Sequence, residues 1–242
     1  MTAPLVVAHR GAPGRGAREN TVRAFRDAAA AGADGVEMDV RLTKDGRLAV
    51  FHDEAAPKGG KRVPLRSLAY DDLRDPSIEA HDRVPTLEEA IRALLGRTGV
   101  IVEVKDADAG GKVAAALLSL KADARLRWLL LASFHPAALR AAAKAAPSIR
   151  RALVVSGSGP GLGGWIRGKM PLRGWRSSGA QDLMPERTLA TGALVEAVAA
   201  RGGRVLPWTV NRPEHAARLA GLGCAGIVTD APAAVRAALR GE

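Results

Sequence analysis

Short apolar runs alternate with segments of helical periodicity along almost the whole chain. The first such unit pairs the run Pro4 to Ala8 with a helix that Asn20 and Thr21 are suited to cap. This alternation is typical of parallel strands joined by crossover helices. Eight strands are predicted, at residues 4–8, 35–40, 99–105, 128–132, 151–155, 180–184, 204–210 and 226–229. The sequence therefore predicts an α/β fold, a (β/α)8 TIM barrel, and 242 residues suit a single barrel domain over residues 1–242.

A hairpin interrupts the alternation after the second strand. Asp45-Gly46 is a strong signal for a two-residue turn, and the link from Val40 to Leu48 is too short for a crossover helix. The run Leu48 to His52 is therefore predicted to return antiparallel, as an extra hairpin arm. Residues 54–85 contain few apolar residues, and they are predicted to form a connecting insertion with at most one short helix, near residues 70–73.

Polar residues recur on strands that the barrel would bring side by side. A strand's period of two puts Glu37 and Asp39 on one face, and it likewise puts Glu103 and Lys105 on one face of the third strand. The first strand and the hairpin arm end in three more polar residues: His9, Arg10 and His52. Because the active residues of such barrels lie at the carboxyl ends of the strands, all seven are predicted to meet at one mouth.

Three of these residues are acids that would repel one another unless a cation lay among them. A divalent ion held by Glu37, Asp39 and Glu103 is the simplest arrangement, and ligands that are all oxygen favour Mg²⁺ or Ca²⁺ over Zn²⁺. An alternative for the third strand is that Glu103 and Lys105 form an ion pair that only fills the barrel.

The other four residues suit the cleavage of a phosphate ester. His9 and His52 can act as acid and base, and Arg10 and Lys105 can bind an anionic phosphoryl group. The sequence does not decide which histidine is the acid. It also leaves open whether the nucleophile is water or a hydroxyl group of the substrate.

Three further polar or aromatic residues are not assigned to catalysis or metal binding. Asp53 is expected to orient a neighbour or cap a turn, and Glu19 is expected to serve a helix N-terminus. Trp208 suits the packing of the core and the lining of the site equally well.

The charge of the chain favours anionic partners. The chain has 36 Lys and Arg against 25 Asp and Glu, a net charge of +11. Nucleic acid is disfavoured, because aromatic residues make up only 3% of the chain and the arginines are not gathered in one stripe. The lone Cys224 has no partner for an internal disulfide. The sequence shows no signal peptide and no apolar run of about 18 residues, so a cytoplasmic enzyme is expected. The oligomeric state is not predicted.

Residues 165–176 interleave large apolar and basic side chains. Trp165, Ile166, Met170 and Trp175 alternate with arginine and lysine, a composition that suits transient contact with an anionic membrane. The alternative is an ordinary loop and helix that covers the barrel. The sequence alone favours the ordinary loop.

Seven short motifs in this chain together resemble those of one enzyme family. They occur in the family's order and span nearly the whole chain: HRG at 9–11, ENT at 19–21, GADGVEMDVRLTKDG at 32–46, FHD at 51–53, VEVK at 102–105, WTVN at 208–211 and GIVTDAP at 226–232. They resemble the glycerophosphodiester phosphodiesterase family.

That resemblance implies a barrel like that of phosphatidylinositol phospholipase C, a divalent metal (Mg²⁺ or Ca²⁺), and hydrolysis of small glycerophosphodiesters to glycerol 3-phosphate and an alcohol. By motif position it makes the two histidines the acid and base, the three acids the metal ligands, and Arg10 and Lys105 phosphate contacts, with Trp208 lining the mouth. Residues 55–85 are shorter than the corresponding insertion in many bacterial members. The resemblance therefore leaves the alcohol open.

Two other functions remain as alternatives. One is phospholipase D-type cleavage of lysophospholipids or sphingomyelin-like lipids at the same site. The other is a barrel without catalytic activity that binds anionic headgroups through its positive charge. The retention of both histidines beside the three acids favours an enzyme, because binding alone needs no acid and base.

Overall fold

The computed structural model describes residues 3–14, 18–123, 126–157 and 171–241. Among these residues, seven strands form a parallel sheet: β1 (Leu5–Ala8), β2 (Gly35–Leu42), β6 (Gly99–Val104), β7 (Leu129–Ser133), β8 (Arg150–Val155), β9 (Asp182–Pro185) and β10 (Gly226–Thr229). Their order in the sheet is β10-β1-β2-β6-β7-β8-β9, and a short hairpin arm pairs antiparallel with β2. The predicted barrel and its hairpin arm, β3 (Leu48–Val50), are confirmed.

Residues 204–210 close the barrel between β9 and β10. Leu206 N donates to Leu183 O at 2.9 Å on one side, and Val228 N donates to Pro207 O at 3.0 Å on the other. The prediction of a regular strand here is wrong, because this segment makes only two isolated bridges, from Val205 to Leu183 of β9 and from Trp208 to Glu186 just beyond β9. On the β10 side, Pro207 has no N–H to donate, so a continuous ladder cannot run there.

The helices follow the strands as the alternation predicts. Within the described ranges they are α1 (Val22–Ala30), α2 (Leu87–Ala93), α3 (Gly110–Asp123), α4 (Pro136–Ala145), α5 (Pro171–Ser178), α6 (Gly192–Ala199), α7 (Pro213–Gly221) and α8 (Pro232–Arg240). Three begin at a threonine whose hydroxyl accepts a backbone N–H of the first turn: Thr21, Thr86 and Thr191. Nowhere in the described ranges is a helix long and apolar enough to cross a membrane.

The insertion after the hairpin arm is more ordered than the sequence suggests. It contains a second hairpin, β4 (Ala55–Lys58) and β5 (Lys61–Pro64), and 3-10 turns at Leu65–Ser67, Tyr70–Leu73 and Ala80–Asp82. The expectation of at most one short helix is therefore wrong, although the turn near residue 70 is where it was predicted. The hairpin escapes a search for apolar alternation because most of its side chains are exposed.

Two apolar layers hold the barrel together. The larger lies between the strands and the helices, and a smaller one fills the interior of the barrel. At the end where the strands begin, Trp128 packs so tightly that a Cβ on Gly99 would lie 2.0 Å from its ring and one on Gly35 would lie 2.4 Å away. Glycine at these two positions lets the tryptophan plug that end, and the opposite end is left for polar residues.

Candidate active site

Three acids lie together at the carboxyl ends of two neighbouring strands. Glu37 and Asp39 lie on β2 and are 2% and 1% exposed, and Glu103 lies on β6, directly opposite Asp39 in the parallel register. One carboxylate oxygen from each lies within 4.8 Å of the others. The period of two that the sequence shows on each strand thus brings all three predicted ligands to one point.

Two cations partly balance this acidic cluster. Lys105 Nζ donates to Glu103 Oε1 at 2.7 Å and lies 3.4 Å from Asp39 Oδ1, and Arg10 Nε lies 3.2 Å from Asp39 Oδ2. Burial alone would raise the pKa of Asp39, but these two cations hold it below its usual range. The predicted phosphate contacts therefore lie beside the predicted metal ligands.

Glu37 is the acid that the protein satisfies least. Its Oε2 accepts the backbone N–H of Arg10 at 2.9 Å, but its Oε1 is buried and has no hydrogen-bond partner among the described residues. Burial, and then repulsion by Asp39, raise the pKa of Glu37 well above its usual range. A buried carboxylate oxygen without a hydrogen-bond partner lowers the stability of the folded protein.

A divalent cation fits this arrangement. Carboxylates bind a metal in their ionised form, and three ionised acids against two cations leave one negative charge. The Glu37 oxygen without a partner belongs to the cluster that such an ion would join. The donors are all carboxylate oxygens, which Mg²⁺ and Ca²⁺ prefer. The alternative of a simple ion pair accounts for Glu103 and Lys105 but leaves Glu37 unexplained.

The HRG motif forms a tight turn that aims two side chains at the acids. Arg10 has φ 50° and Gly11 has φ 84°, so both lie in the left-handed region. A Cβ on Gly11 would lie 2.8 Å from the Cβ of Ala24 on α1, so only glycine permits this approach of the turn to the helix. This local conformation lets the Arg10 backbone contact Glu37 while its side chain contacts Asp39.

His9 is held by an acid from the opposite end of the sequence. Its Nδ1 lies 2.7 Å from Asp230 Oδ1, and Asn211 Nδ2 donates to the other oxygen of Asp230 at 2.8 Å. Burial alone would lower the pKa of His9, but the hydrogen bond with Asp230 and the charge of Glu37 outweigh it and raise that pKa. The other ring nitrogen, Nε2, is then the one that remains for chemistry.

His52 is held in a similar way by its neighbour in sequence. Its Nδ1 lies 2.9 Å from Asp53 Oδ1, and Arg62 donates to the other oxygen of Asp53 at 2.7 Å. The expected role of Asp53 as an orienting group agrees with this contact. The imidazole is near enough for its charge to favour ionised Asp39, which places both histidines around the acidic cluster.

Two residues of the ENT motif support the site in ways that the sequence did not indicate. Asn20, at φ 57°, donates to Asp39 Oδ2 at 2.9 Å and accepts the Asp39 backbone N–H at 3.2 Å. Glu19 accepts a hydrogen bond from Arg10 Nη1 at 2.9 Å, and Thr21 makes the side-chain cap of the helix, so the expected service of Glu19 to the helix N-terminus stays a prediction. Asp230 was also missed as a functional residue. Its place at the end of β10 was the available signal, because active residues of a barrel lie at strand ends.

Trp208 has the packing role that the sequence allows, and its lining of the site stays a prediction. It belongs to the interior layer of the barrel, and its ring meets Phe134 edge to face at 5.5 Å between centroids. Its indole N–H donates to Met184 O at 3.0 Å. The Phe134 ring centroid also lies 5.7 Å from Lys105 Nζ, so this aromatic pair lies next to a predicted residue of the site.

A groove of about 610 Å³ opens beside His52. Its walls come from the ENT loop, the end of the hairpin arm and the insertion, and they include Glu19, Asn20, His52 and Asp53. Eight of its eighteen lining residues are acidic or arginine. The groove therefore combines charged and apolar walls, and it adjoins the site at His52.

The segment proposed for membrane contact is only partly described. Trp165, Ile166 and Met170 lie outside the described residues. Trp175 lies on α5, is 4% exposed and packs in the core, so it is not available to a lipid surface. For that residue, the alternative of a helix that covers the barrel is correct.

Comparison with known proteins gives consistent matches over nearly the whole chain. A profile of the glycerophosphoryl diester phosphodiesterase family matches residues 9–234. A glycerophosphodiester phosphodiesterase of Caldanaerobacter subterraneus subsp. tengcongensis is 31% identical over 243 residues, which cover 94% of each protein. A solved phosphodiesterase of Oleispira antarctica, in complex with the product sn-glycerol-3-phosphate, is 25% identical with a TM-score of 0.79, over 98% of this chain and 97% of that one. A solved glycerophosphodiester phosphodiesterase of Thermotoga maritima is 25% identical with a TM-score of 0.72, over 96% of each chain.

Proposed function

The chain belongs to the glycerophosphoryl diester phosphodiesterase family of phosphoric diester hydrolases, and we propose that it hydrolyses glycerophosphodiesters to glycerol 3-phosphate and an alcohol with a divalent metal ion. The observation that carries this proposal is the buried acidic cluster with one carboxylate oxygen left without a partner, flanked by two histidines that are each held by an aspartate. Membership of a hydrolase family sets aside the alternative of a barrel without catalytic activity.

Glu37, Asp39 and Glu103 are the residues that would hold the metal. When bound there, Mg²⁺ or Ca²⁺ would stabilise negative charge on the phosphate. A phosphodiester adds one negative charge to the single excess charge of the cluster, so a divalent ion neutralises the whole assembly. We expect the loaded site to bind a phosphodiester more tightly than the metal-free site.

Arg10 and Lys105 bind the phosphate in this proposal. The two side chains carry more N–H donors than their contacts with Glu19, Asp39 and Glu103 occupy. Charge-assisted hydrogen bonds from both would hold the phosphate against the mouth and stabilise the charge that develops in the transition state.

His9 and His52 move the protons. Each has its Nδ1 engaged by an aspartate, so each presents Nε2 to the substrate. One takes the proton of the nucleophile and the other gives a proton to the departing alkoxide. The nucleophile is either water or the glycerol 2-hydroxyl, and a cyclic phosphate seen by phosphorus NMR during a single turnover identifies the hydroxyl route.

A leaving group that needs no proton separates the two histidine roles. A glycerophosphodiester of p-nitrophenol departs readily as an anion, so replacing the general acid should harm its cleavage much less than that of glycerophosphocholine. Replacing the general base should harm both. Measuring both substrates with His9→Ala and with His52→Ala assigns the roles.

The groove beside His52 is the proposed place for the alcohol. Its charged residues can contact the polar groups of small alcohols, such as those of glycerophosphocholine and glycerophosphoethanolamine. If lysophospholipids or sphingomyelin-like lipids outcompete glycerophosphocholine, phospholipase D-type cleavage replaces this assignment.

The test is release of glycerol 3-phosphate from these two substrates with Mg²⁺, Ca²⁺, Mn²⁺ or EDTA. We expect release that needs metal, is lost in His9→Ala and persists in His215→Ala, a control histidine on α7 outside the site. Release that continues in EDTA, or that survives the loss of His9, contradicts the proposal.

The single domain over residues 1–242 and the cytoplasmic location remain predictions from the sequence. One cooperative calorimetric transition is expected for a single domain. Fractionation of the source cells tests the location.

A further inference from the structure

Arg41 lies on β2 two residues beyond Asp39, on the same face as Glu37 and Asp39. Its side chain is 15% exposed and contacts two elements at once. Its Nε donates to the backbone carbonyl of His52 at 2.8 Å, and its Nη1 donates to Asp106 Oδ1 at 2.8 Å. The guanidinium thus joins the main chain of His52 to the residue that follows Lys105 at the end of β6.

Asp106 is itself fixed by the strand that carries Arg41. Its Oδ2 accepts the backbone N–H of Leu42 at 2.8 Å, and its side chain is 13% exposed. The acid therefore uses one oxygen to hold β2 and the other to hold the guanidinium. The two hydrogen bonds of Arg41, to the His52 carbonyl and to Asp106, lie in a largely buried position and give its side chain one orientation.

His52 needs such support because it lies beyond its strand. The strand β3 ends at Val50, and the last backbone bond of the arm toward the site runs from Phe51 N to Asp39 O at 3.0 Å. The imidazole is oriented by Asp53, a residue that is itself exposed. The Arg41 bond to the His52 carbonyl fixes the main chain from which that imidazole projects.

We infer that Arg41, held by Asp106, is a positioning residue that sets the place of His52 relative to the acidic cluster. This inference rests on the proposed function, in which His52 transfers a proton. Arg41 does not touch the substrate in this scheme. It acts through the backbone of His52, and its loss should slow the chemical step more than it weakens substrate binding.

Arginine is required here because two acceptors must be reached in one plane. The Nε and Nη1 donors of a guanidinium are fixed relative to each other, whereas a lysine carries one point charge on a flexible stem. Arg41→Lys can keep the ion pair with Asp106 or the bond to His52, but not both in the native geometry. It should therefore resemble Arg41→Met more than the native enzyme.

The first test separates kcat from KM in Arg41→Met and Asp106→Asn. A displacement of a catalytic group by about 1 Å costs about 10²-fold in rate, so we expect kcat to fall by about 10- to 100-fold and KM to change by less than about threefold. The matched control is Arg150→Met, which breaks another arginine–aspartate pair, at the opposite end of the barrel. It should lose stability and keep kcat.

The second test needs neither metal nor substrate. Imidazole carbon–proton NMR signals of the metal-free protein are assigned with His9→Gln and His52→Gln and then compared in Arg41→Met. We expect the His52 signal to shift or broaden and the His9 signal to stay in place. If the native protein has no diesterase activity, the proposed function fails, and this measurement still decides whether Arg41 positions His52. An unchanged kcat with lowered stability, or equal changes in the two histidine signals, overturns the inference.

Discussion

Buried carboxylates lie at both ends of the barrel, and the protein surrounds them differently. At the end where strands begin, Asp182 is fully buried and accepts hydrogen bonds from the Arg150 and Arg204 side chains and from the Arg204 backbone. Both of its oxygens have several partners. At the end where strands finish, Glu37 is equally buried, and one of its oxygens has none among the residues described.

The pKa values of the two acids shift in opposite directions. For Asp182, burial alone would raise the pKa, but the hydrogen bonds from Arg150 and Arg204 outweigh it and lower that pKa. For Glu37, burial and the charge of Asp39 act together and raise it. Equal burial thus accompanies opposite pKa shifts, because Asp182 is surrounded by hydrogen-bonding arginines and Glu37 lies beside other acids.

Backbone conformation shows the same contrast. All the non-glycine residues with positive φ in the described ranges, namely Arg10, Ala12 and Asn20, lie in the loop above the acidic cluster. Such conformations cost energy, and they persist where the surrounding contacts enforce them. At the beginning of the barrel the buried charges are balanced, which favours stability. At the mouth a carboxylate oxygen without a partner and a strained loop remain, and a bound ligand can interact with both.

The largest effect should come from removing one acid of the mouth. Glu37→Gln keeps the size of the side chain and its contact with Arg10 N but removes a charged ligand. We expect kcat/KM to fall by about 10³-fold, or about 4 kcal/mol, because a bound metal supplies several kcal/mol of charge stabilisation. Release of glycerol 3-phosphate and calorimetric titration with Mn²⁺ measure the two effects.

Asp182→Asn is the matched control for that substitution. It makes the same acid-to-amide change at the other end of the barrel and should leave kcat/KM and Mn²⁺ binding unchanged. If both substitutions abolish activity, or neither does, the two ends do not differ in the way described.

The second effect is on stability at the beginning of the barrel. Asp182→Asn leaves Arg150 and Arg204 without the charge that both contact. Breaking a buried pair costs about 3–5 kcal/mol, and since both arginines are partly exposed we expect a loss near the lower limit, about 3 kcal/mol. Urea unfolding at neutral pH measures it.

The pH dependence of this loss follows from the lowered pKa of Asp182. A lowered folded-state pKa contributes stability that is present above the unfolded pKa, about 4 for aspartate, and is lost as the pH falls through the folded value. The gap between the native protein and Asp182→Asn should therefore narrow as the pH falls below about 4. A gap that stays constant would mean that the ionised carboxylate is not the cause.

The sequence predicts the mouth better than it predicts the parts that hold it. Alternation along β2 and β6 places Glu37, Asp39 and Glu103, because a strand's period and the parallel register are local rules. Contacts between distant parts of the chain, such as His9 with Asp230, depend on how the barrel closes. A local pattern places Asp230 at a strand end but does not show which residue it contacts.

The missed hairpin and the irregular seventh strand have different causes. The β4–β5 hairpin buries little apolar surface, so hydrophobic periodicity does not reveal it, whereas its Gly59-Gly60 turn was the available signal. Residues 204–210 do show the apolar run of a strand. Pro207 has no N–H to donate toward β10, so the ladder on that side is incomplete.

The third effect concerns the acid that holds His9. Asp230→Asn keeps a hydrogen-bond acceptor but removes the negative charge that favours protonated His9, so the pKa of His9 should fall. Loss of such an orienting partner costs about 10- to 100-fold in activity. Imidazole NMR titration measures the pKa, and the assay of glycerol 3-phosphate release measures kcat.

A neighbouring substitution sets the reference for this result. Asn211→Ala removes a hydrogen bond to Asp230 without removing its charge, so its effect on the His9 pKa should be smaller. An equal effect of the two substitutions would show that geometry and not charge governs His9.

The smallest effect is also the most direct test of the contrast, because the two substitutions should change the free energy of unfolding in opposite directions. In the metal-free protein Glu37→Gln replaces an acid whose raised folded-state pKa costs stability at neutral pH. The amide can donate to the neighbouring acids, and we expect the free energy of unfolding to rise by about 1 kcal/mol. Urea unfolding in EDTA measures this gain, against the loss in Asp182→Asn. With metal the native protein should become more stable than Glu37→Gln. An ion at about 10³ times its Kd adds about 4 kcal/mol to the free energy of unfolding of the native protein, and it adds little to a variant that has lost a ligand. A metal-free Glu37→Gln less stable than the native protein would mean that the mouth, like the opposite end, is built around satisfied charges.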